Sequence, residues 1–542
     1  MDYLSLCLIC KDENDYLSEW LDYHILMGVD RFYIYDNESQ VSLRETLKEY
    51  IERDWVVVMD IPGRGVQLYA YDHCLQTFGM YTRWMGFIDT DEFLVPKNCL
   101  DLKELLREYE QYGGVAVSSL FFGSSGHRER PAAGQISGYT LRTHETFHGN
   151  TLTKCIVRPD RTWMPYSPHD FTYKDNFWCV NEGFLRVDNQ DFPNHIEKIQ
   201  LNHYFCRSES EIELKFRRKR GDTGGTWPRT RFDVINHLAT FQDTTILKNL
   251  ATLINESEIN RDIQMELPVS ASLLEKMAAM ACARRPSPLE FSPPHDVMFR
   301  VEIANFLDIE AQFKMIEERG DQEETRKWIQ KKIQILPQRL TLYIDLAVCY
   351  LNLNDPSNAW QVLGQAWQIA PNSYTSLFGM TFYFLRIKNF AMAEKTCRLL
   401  LEMAPHDLTF LGFMTEAMIG QERWEEALKI GLPVVQLAGT LGGELPDRMG
   451  VFLIKKMADH LLEKKDFEKA VLLWEAGVKC EPENLNVLLE LVQALVQKGD
   501  QAVARQRLAQ AQALAPRDER VKALLKQVVS QPYGAKTYKH KK

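Results

Sequence analysis

A cluster of carboxylates follows an apolar segment in the sequence WMGFIDTDEFL, at Asp89, Asp91 and Glu92. The apolar residues stop at Ile88, which predicts a buried strand that ends at these acids. Asp89 and Asp91 are two residues apart, and side chains at that spacing point the same way in an extended chain. Carboxylates at a strand end can hold Mg²⁺ or Mn²⁺, which bridges phosphate oxygens. The alternative is a polar strand end that carries acids without a metal.

Strands and helices alternate on the N-terminal side of this cluster. Strands are predicted at residues 3–10, 31–35 and 55–61 and directly before Asp89. Helices are predicted from a cap at Asn14 or Asp15 to a stop at Gly28, and over roughly Gln67 to Phe78. This order predicts a parallel sheet with right-handed crossovers, and ligands at the C-terminal ends of its strands.

Polar residues follow the predicted strands. Lys11 and Asp12 follow the first strand, Asp36 ends the second, and the Asp89–Asp91 pair follows the fourth. Because the C-terminal ends of parallel strands lie at one edge of a sheet, we expect these residues to share one crevice.

Several segments resemble, in the same order, the nucleotide-diphospho-sugar domain of GT-A glycosyltransferases. The resemblance is greatest to glycosyltransferase family 92 and its family 2-like bacterial relatives. The segments are CLICKDENDYLSEWLDYHILMGVDRFYIYDNES, GFIDTDEFL, FFGSSGH, KCIVRP and LNHYFCRSESEIELKFRRKRG. They lie within roughly residues 1–250, and the resemblance implies an α/β, Rossmann-like GT-A domain there.

The resemblance implies inverting transfer of a sugar from a nucleotide sugar, a UDP-sugar, to a glycan, protein or peptide acceptor. Charge develops on the diphosphate as it leaves, and Mn²⁺ or Mg²⁺ stabilises such charge. Asp89 and Asp91 are the predicted metal ligands, and the resemblance adds His203 of the Asn202-His203-Tyr204 motif as a third. The alternative for His203 is a hydrogen-bonded core histidine.

Residues that bind the donor are predicted in the same crevice. By resemblance, Asp36 stands where GT-A enzymes place an acid that reads the nucleobase or ribose; the alternative is an ordinary helix or turn cap. The candidate donor-binding residues are Lys11, Asp12, Asp36, Gln67, Asp89, Lys154, Arg207 and Lys215. The basic segment that continues through Arg217, Arg218, Lys219 and Arg220 to Gly221 either binds phosphate and closes over it or forms a solvated helix face.

An inverting reaction needs a group that takes the proton of the acceptor hydroxyl. The PYSPHD segment, residues 165–170, stands where the family carries a histidine motif, so Asp170 and His169 are the candidate bases. Glu145 and Glu182 lie in predicted loops that can also reach the site.

The second half of the chain contains a repeat. Prolines are spaced 34 residues apart at Pro337, Pro371 and Pro405, and again at Pro482 and Pro516. Alanines keep the same register at Ala359, Ala393, Ala427, Ala470 and Ala504, with an insertion of nine residues, Leu441 to Met449, after the third. The pattern resembles tetratricopeptide repeats, which predicts an all-α solenoid of five units over about 340–516, with a partial unit before them. Such a solenoid binds a protein or peptide, mediates homodimerisation, or only supports the catalytic domain.

The predicted domains are a GT-A domain at 1–250, a helical linker region at 251–330, the repeats at 331–530 and a basic tail at 531–542. The net charge of −10 argues against nucleic-acid binding, which favours a basic face. Neither a secretory signal nor an apolar run of about 18 residues is found, so a cytoplasmic protein without a transmembrane segment is expected. Eleven irregularly spaced cysteines predict thiols in a reducing compartment.

Two other functions share these features. A non-catalytic scaffold would bind the nucleotide sugar without transferring it. A nucleotidyltransferase would share the strand-helix order and the acidic metal site, but KDEN stands where a glycine-rich phosphate loop would follow the first strand.

Overall fold

The computed structural model describes residues 1–189, 192–217, 229–260, 272–289, 300–440 and 449–530, together with positions 291, 293 and 297. The chain divides into two compact units, Met1–Ser376 and Leu377–Lys542. The predicted insertion, Leu441 to Met449, lies outside the described residues except for Met449, and the predicted basic tail lies outside them entirely. The finer domain boundaries stay predictions.

Fourteen strands lie in the described part of the chain. They are β1 (Asp2–Cys10), β2 (Arg31–Asp36), β3 (Val56–Asp60), β4 (Thr82–Phe87), β5 (Glu92–Pro96), β6 (Gly114–Phe121), β7 (Leu141–Arg142), β8 (Thr153–Val157), β9 (Thr162–Pro165), β10 (Phe171–Tyr173), β11 (Cys179–Val180), β12 (Arg186–Val187), β13 (Ile199–His203) and β14 (Phe241–Gln242). Short 3₁₀ turns lie at Gly79–Tyr81, Arg107–Tyr109, His148–Thr151 and Pro159–Arg161.

Ten α-helices precede residue 300 in the described part. They are α1 (Asn14–Leu26), α2 (Leu43–Thr46), α3 (Lys48–Glu52), α4 (Gln67–Phe78), α5 (Leu102–Leu106), α6 (Gly134–Gly138), α7 (Glu209–Arg217), α8 (Arg229–Leu238), α9 (Thr245–Asn260) and α10 (Leu273–Ala283).

The later α-helices follow one another with short connections. They are α11 (Val301–Arg319), α12 (Gln322–Ile335), α13 (Leu340–Asn352), α14 (Pro356–Ile369), α15 (Tyr374–Arg386), α16 (Phe390–Met403), α17 (Leu408–Gly420), α18 (Trp424–Thr440), α19 (Met449–Glu463), α20 (Phe467–Cys480), α21 (Leu485–Lys498), α22 (Gln501–Leu514) and α23 (Glu519–Ser530).

A mixed sheet forms the centre of the N-terminal domain. Strands β3, β2, β1 and β4 are adjacent in that order and parallel, as predicted from the strand-helix alternation. Beyond these four predicted strands the sheet is mixed, because β8 runs antiparallel to both β4 and β6. A parallel connection needs a crossover of about a dozen residues or more, usually a helix. The α-helices between β5 and β8, α5 and α6, have only five residues each.

Helix α1 fixes the strand that follows the acidic cluster. The Trp20 indole N–H donates to the Glu92 carbonyl (2.9 Å), and the Tyr23 hydroxyl donates to the Leu94 carbonyl (2.9 Å). His24 accepts the Leu94 N–H at 3.3 Å, and burial lowers the pKa of its imidazole to about 3, so it is neutral. Three side chains of one helix therefore hold the backbone of β5 directly after Asp91.

The predicted N-terminal cap of α1 is wrong, but its predicted stop is confirmed. The helix begins at Asn14, and no side-chain hydrogen bond caps it at Glu13. The Asn14 amide instead donates to the Val41 carbonyl and the Thr46 hydroxyl, and so holds the neighbouring loop. Gly28 follows the helix end with φ +94°, a conformation that glycine adopts without strain.

The repeat pattern is confirmed in the helical half. Within the described residues, α13 to α22 form five consecutive helix pairs in the predicted register, preceded by the pair α11 and α12. The five register alanines are fully buried, at Ala359, Ala393, Ala427, Ala470 and Ala504. Four of the second helices begin at a side-chain cap, at Asp355, Asn389, Asp466 and Asp500. In the described part of the chain, no helix is long and apolar enough to cross a membrane.

Two glycines that end helices give a matched test of packing. A Cβ at Gly28 would lie 2.2 Å from Asp101 Oδ1, whereas a Cβ at Gly320, which ends α11 with φ +71°, meets nothing within 4 Å. Gly320→Ala should cost only the left-handed strain, about 1–3 kcal/mol. Gly28→Ala adds a clash with the carboxylate that caps α5, so we expect a clearly larger loss of the free energy of unfolding. Urea unfolding of both variants measures the difference, and equal losses would contradict it.

Candidate functional site

A cavity of about 700 Å³ opens at the C-terminal edge of the parallel strands. Ten of the predicted site residues line it: Lys11, Asp12, Gln67, Asp89, Asp91, Lys154, His169, His203, Arg207 and Lys215. Asp36 and Asp170 are not among its lining residues. The strand-end residues thus share one crevice with residues from β8, the β9–β10 loop, β13 and α7.

The Asp91 carboxylate lies between two basic side chains. Its Oδ2 is 2.8 Å from Lys215 Nζ and 3.7 Å from His203 Nε2. Burial alone would raise the pKa of Asp91, but Lys215 and then His203 outweigh that effect and hold the pKa well below its usual range. Asp91 is therefore an ionised carboxylate at the wall of the cavity.

The Asp89 carboxylate pairs with a different lysine. Lys154 Nζ lies 3.0 Å from Asp89 Oδ2 and 3.4 Å from Glu92 Oε2. Lys154 and Glu92 are each 1% exposed. Burial opposes the charge on Lys154, yet the carboxylates of Asp89 and Glu92 raise its pKa well above the ordinary value. Burial, with the nearby Asp89 charge, raises the pKa of Glu92.

Asp89 and Asp91 do not lie in a regular strand, because β4 ends at Phe87 and β5 begins at Glu92. The spacing of side chains in an extended chain therefore does not apply to them. Gln67 Nε2 donates to Asp89 Oδ1 at 3.4 Å. The Asp-Thr-Asp segment thus supplies one carboxylate to Lys154 and one to the Lys215–His203 side.

His203 comes to Asp91 through strand pairing. In the antiparallel β13–β5 pair, His203 is opposite Glu92, and in the parallel β13–β6 pair it is opposite Phe121. Its Nδ1 lies 3.6 Å from Glu92 Oε1, and its ring packs on Phe121 with centroids 4.6 Å apart. Both ring nitrogens of His203 face carboxylates. An ordinary hydrogen-bonded core histidine, which is the alternative, would not need two acidic partners.

Asp91 and His203 fit a divalent cation as a pair. Ligands about 2.1 Å from one ion lie up to about 4.2 Å apart, and Asp91 Oδ2 and His203 Nε2 are 3.7 Å apart. Asp89 is not part of this pair: its described partners are Lys154 and Gln67, whereas Asp91 Oδ2 lies beside both His203 and Lys215. Within the described residues, no group of three or more His, Cys, Asp or Glu side chains is arranged to hold a metal ion. A metal at this site would take its remaining ligands from phosphate oxygens and water.

Arg207 is held rigidly at the wall of the cavity. Its guanidinium donates to Glu13 Oε2 (2.6 Å) and Gln135 Oε1 (2.9 Å) and lies 4.0 Å from the ring centroid of Tyr16. Its backbone has φ +47°, which is strained for a residue with a Cβ. The Nη2 group is buried and has no hydrogen-bond partner within the protein. An unpaired guanidinium N–H group beside a polar cavity fits an anionic ligand.

The first strand end contributes Asp12 in a strained turn. Asp12 has φ +54°; its Oδ1 accepts the Gln40 N–H at 2.7 Å, and its own N–H donates to Ser39 Oγ at 3.0 Å. Lys11, beside it, is exposed and lines the cavity. The turn that follows β1 and the turn that follows β2 are therefore hydrogen-bonded to each other at the rim of the cavity.

The role predicted for Asp36 disagrees with its geometry. Its carboxylate accepts the N–H groups of Ser39 (2.9 Å) and Leu43 (3.3 Å), and Asp36 is not among the residues that line the cavity. This is the turn cap that the sequence left open as the alternative. Of the predicted basic segment, Arg218 to Gly221 lie outside the described residues.

Asp170 is also placed wrongly by the sequence as a base. Its Oδ2 accepts a hydrogen bond from Arg339 at 2.7 Å, and both side chains are buried. A carboxylate that is paired with an arginine and lies outside the cavity is a poor proton acceptor. Glu182 is likewise structural, since it accepts the N–H groups of Lys198 and Ile199.

His169 does line the cavity. Its Nδ1 lies 2.9 Å from the Thr153 carbonyl, which fixes Nδ1 as the protonated nitrogen and leaves Nε2 as the basic one. Burial and then the charge of Lys154 lower the pKa of the His169 imidazole to about 4. The side chain is thus a neutral imidazole at pH 7.

Several lining residues were not predicted: Glu13, Tyr16, Arg130, Glu211 and Arg231. Glu13 directly follows Asp12 in the KDEN segment, so its place at the same strand end was a usable signal. Glu92 was part of the acidic cluster, but the sequence does not show that it is buried. Arg231 comes from α8, and no local pattern connects it with the cavity.

Comparisons with known proteins agree with both halves of the sequence-based prediction. Residues 3–191 match the family model for glycosyltransferase family 92, and residues 461–528 match that for the tetratricopeptide repeat. The N-terminal part of the chain therefore carries a glycosyltransferase family 92 domain, and the C-terminal part carries tetratricopeptide repeats.

Curated relatives match the N-terminal part. The glycosyltransferase family 92 protein Os08g0121900 of Oryza sativa subsp. japonica is 31% identical over 186 residues, 33% of this chain and 31% of the relative. Protein RCOM_0530710 of Ricinus communis is 28% identical over 198 residues, 35% of each chain. Beta-1,4-galactosyltransferase galt-1 of Caenorhabditis elegans is 28% identical over 212 residues, 34% of this chain and 48% of the relative. The chain spans about a third of the length of the first two relatives.

Among solved structures, similarity extends to repeat proteins. PilW, a type IV pilus biogenesis factor, is 18% identical, with a TM-score of 0.32 over 40% of this chain and 97% of its own. The tetratricopeptide-repeat protein YrrB is 15% identical, with a TM-score of 0.27 over 36% of this chain and 97% of its own.

Lys154, which is buried, and Lys215, which is partly exposed, should contribute very differently to the free energy of unfolding. Lys154→Met leaves Asp89 and Glu92 side by side without their buried cation, a change that costs about 3–5 kcal/mol. Lys215→Met removes an ammonium that is 28% exposed and should cost much less. Thermal unfolding of the two variants measures the difference.

The pH dependence gives a second test of the same charge pair. Burial raises the pKa of Glu92 and Lys154 opposes that rise, so the loss of Lys154 raises the folded-state pKa of Glu92 further above that of the unfolded chain, and protonation favours the folded state. The stability deficit of Lys154→Met should therefore shrink as the pH falls from 7 toward 5. A deficit that stays constant, or that equals the deficit of Lys215→Met, would contradict the buried pairing.

Proposed function

We propose that the chain is a glycosyltransferase that moves a sugar from a UDP-sugar to an acceptor hydroxyl with inversion. The observation that carries the proposal is the cavity, which Asp91 and His203 line together with the basic residues Lys215 and Arg207. The family 92 match and the name of the galactosyltransferase relative support hexose transfer. The acceptor is a glycan, protein or peptide.

The basic side chains suit a diphosphate. Lys215 Nζ is anchored by Asp91 and by the Phe205 carbonyl at 3.2 Å, and Arg207 lines the same cavity, with a buried Nη2 group that has no partner in the protein. Phosphate oxygens beside these groups would receive charge-assisted hydrogen bonds. Those bonds strengthen as the sugar–phosphate bond breaks and negative charge collects on the leaving diphosphate, which lowers the barrier.

We assign Asp91 and His203 as the protein ligands of Mn²⁺ or Mg²⁺. When bound, such an ion supplies Lewis-acid stabilisation of the diphosphate charge. Asp89 would act from outside this pair, because it anchors Lys154 and Gln67 beside the cavity. The donor-binding roles of Lys11, Asp12, Gln67 and Lys154 stay predictions, as does a cytoplasmic location.

His169 is the proposed proton acceptor. Its Nδ1–H is held by the Thr153 carbonyl, so Nε2 is the nitrogen that takes the proton of the acceptor hydroxyl. Lys154 helps to lower the pKa of the imidazole, and a bound diphosphate adds negative charge that raises it again. Binding of the donor would thus make the base stronger at the moment when it is needed.

The repeats are proposed to bind a protein or peptide, or a second copy of the chain. A non-catalytic scaffold would bind UDP-sugars and release nothing. A nucleotidyltransferase would release pyrophosphate, whereas a glycosyltransferase releases UDP. Analysis of the released product therefore separates the three functions.

The metal role of Asp91 gives the main test. Asp91→Asn should abolish the stabilisation of the chain by Mn²⁺ with UDP and should lower sugar release about 100-fold or more, an effect expected for loss of one strong electrostatic contact. The matched control is Asp60→Asn, because Asp60 ends strand β3 of the same sheet but is 71% exposed and pairs with Arg44. Both variants are assayed with a panel of UDP-sugars and Mn²⁺. Wild-type activity in Asp91→Asn would refute its role, and an inactive wild type would refute the proposed function.

The pKa of His169 should determine where the pH–rate profile falls off on its acid side. A base with a pKa near 4 is deprotonated above that pH, so its limb in kcat/KM should lie near pH 4 and not near the ordinary value of about 6.5. The limb in kcat should lie at higher pH, because the bound diphosphate raises the pKa. His169→Asn should lower kcat about 100-fold, whereas His195→Asn, a histidine outside the cavity, should not. The same acid limb in wild type and His169→Asn would exclude His169 as the base.

A further inference from the structure

The loop that carries His169 is a tight turn closed by Asp170. It connects β9 to β10 over residues 166–170. The N–H groups of Tyr166 and Ser167 both donate to the Asp170 carbonyl, at 3.0 and 3.2 Å, and the His169 N–H donates to Ser167 Oγ at 3.1 Å. The place of His169 in the cavity therefore depends on how the two ends of this turn are held.

Arg339, from the start of the repeats, contacts both ends of the turn. It immediately precedes α13, and its guanidinium donates to Asp170 Oδ2 at 2.7 Å. The same guanidinium lies 3.8 Å from the ring centroid of Tyr166, and its Nε donates to Thr341 Oγ1 at 3.1 Å. The Arg339 and Asp170 side chains are 9% and 8% exposed. One buried, directed side chain thus fixes the first and last residues of the turn.

Neighbouring contacts strengthen this attachment within the unit Met1–Ser376. The Tyr166 ring packs on Phe306 of α11, with centroids 5.3 Å apart, and Phe192 packs on Tyr374 at 4.7 Å. Arg186 donates to the Gln338 carbonyl at 3.4 Å, next to Arg339. The first helices of the repeat region therefore cover the outer side of the His169 turn.

We propose that Arg339 is a positioning residue for catalysis, which holds the turn of residues 166–170 so that His169 Nε2 faces the acceptor hydroxyl. The proposal rests on the proposed function and on the role of His169 in it. Arg339 lies outside the cavity lining and does not touch the donor-binding residues. Its loss should therefore reduce proton transfer and leave donor binding intact. The first repeat is then a part of the catalytic unit.

A second arginine gives a matched control. Arg300, directly before α11, makes a two-point ion pair with Asp72, with N–O distances of 3.0 and 2.6 Å, and Asp72 is 2% exposed. This pair also joins the helical region to the α/β domain, but it does not contact residues 166–170. Arg300 is 25% exposed, and its Nη2 also donates to the Trp163 carbonyl in β9 at 3.1 Å. Arg300→Gln thus removes a partly buried arginine–aspartate pair and leaves the contacts of residues 166–170 in place.

The kinetic test uses the full chain with Arg339→Gln, Arg339→Lys and Arg300→Gln. Arg339→Gln should lower kcat for transfer about tenfold or more and leave the donor KM within about twofold, the signature of a contact that acts on the reacting geometry. Arg339→Lys keeps the positive charge but loses the planar guanidinium, so its kcat should lie between the values for Arg339→Gln and wild type. Arg300→Gln should leave kcat unchanged. An equal loss of kcat in Arg300→Gln and Arg339→Gln would overturn the proposal.

A double variant separates positioning from a general loss of stability. If Arg339 acts through His169, Arg339→Gln should cause no further loss of kcat in a chain that already carries His169→Asn. If the two substitutions lower kcat by factors that multiply in the double variant, the proposal is overturned.

A spectroscopic test does not need activity. In chains labelled at histidine ¹³Cε1, the His169 signal is assigned by its absence from His169→Asn. The signal should shift or split in Arg339→Gln and stay in place in Arg300→Gln. If Arg339→Gln does not fold, Arg339→Lys takes its place. A His169 signal that is unchanged by substitution of Arg339 overturns the positioning role, whether or not the chain transfers sugar; an inactive wild type with a shifted signal would refute only the proposed function.

Discussion

The buried ammonium of Lys154 is the contact on which the site depends. Asp89, Asp91 and Glu92 place three carboxylates within four residues, and Glu92 is 1% exposed. Such a concentration of buried negative charge is unfavourable unless cations compensate it. Lys154 pairs with both Asp89 and Glu92, which leaves Asp91 to pair with Lys215, and His203 lies between Asp91 and Glu92. The two aspartates therefore have different partners because of this one lysine.

Separate elements must then keep these charges in register. Trp20, Tyr23 and His24 hold the backbone of β5, and the β13–β5 pairing places His203 opposite Glu92. The chain that continues from β13 carries Arg207 and Lys215 to the same cavity. A neutral His24 matters here, because a charged imidazole in that buried position would lack a compensating partner. The pairing of the strands therefore fixes the distances between the charged groups of the site.

The features that the sequence predicts well are those with a local period or a local motif. The strand-helix alternation gives the four parallel strands, and the 34-residue spacing gives the helix pairs with their buried alanines. Features that depend on distant partners are missed or misplaced. Asp36 looks like a strand-end ligand, but the nearby backbone N–H groups of Ser39 and Leu43 use its carboxylate. The different partners of Asp89 and Asp91 depend on lysines 65 and 124 residues away, which no local pattern indicates.

The same reasoning explains why Asp170 is a misleading candidate and His169 is not. Asp170 meets Arg339, which is 169 residues away in the chain, and that partner removes it from proton transfer. Yet the contact is not incidental to the site, because the turn that Asp170 closes presents His169 to the cavity. An arginine at the start of the repeats thereby reaches the reacting side of a domain whose family match ends at residue 191. On the proposed function, the unit that transfers sugar therefore extends beyond the matched residues 3–191 and includes the first repeat.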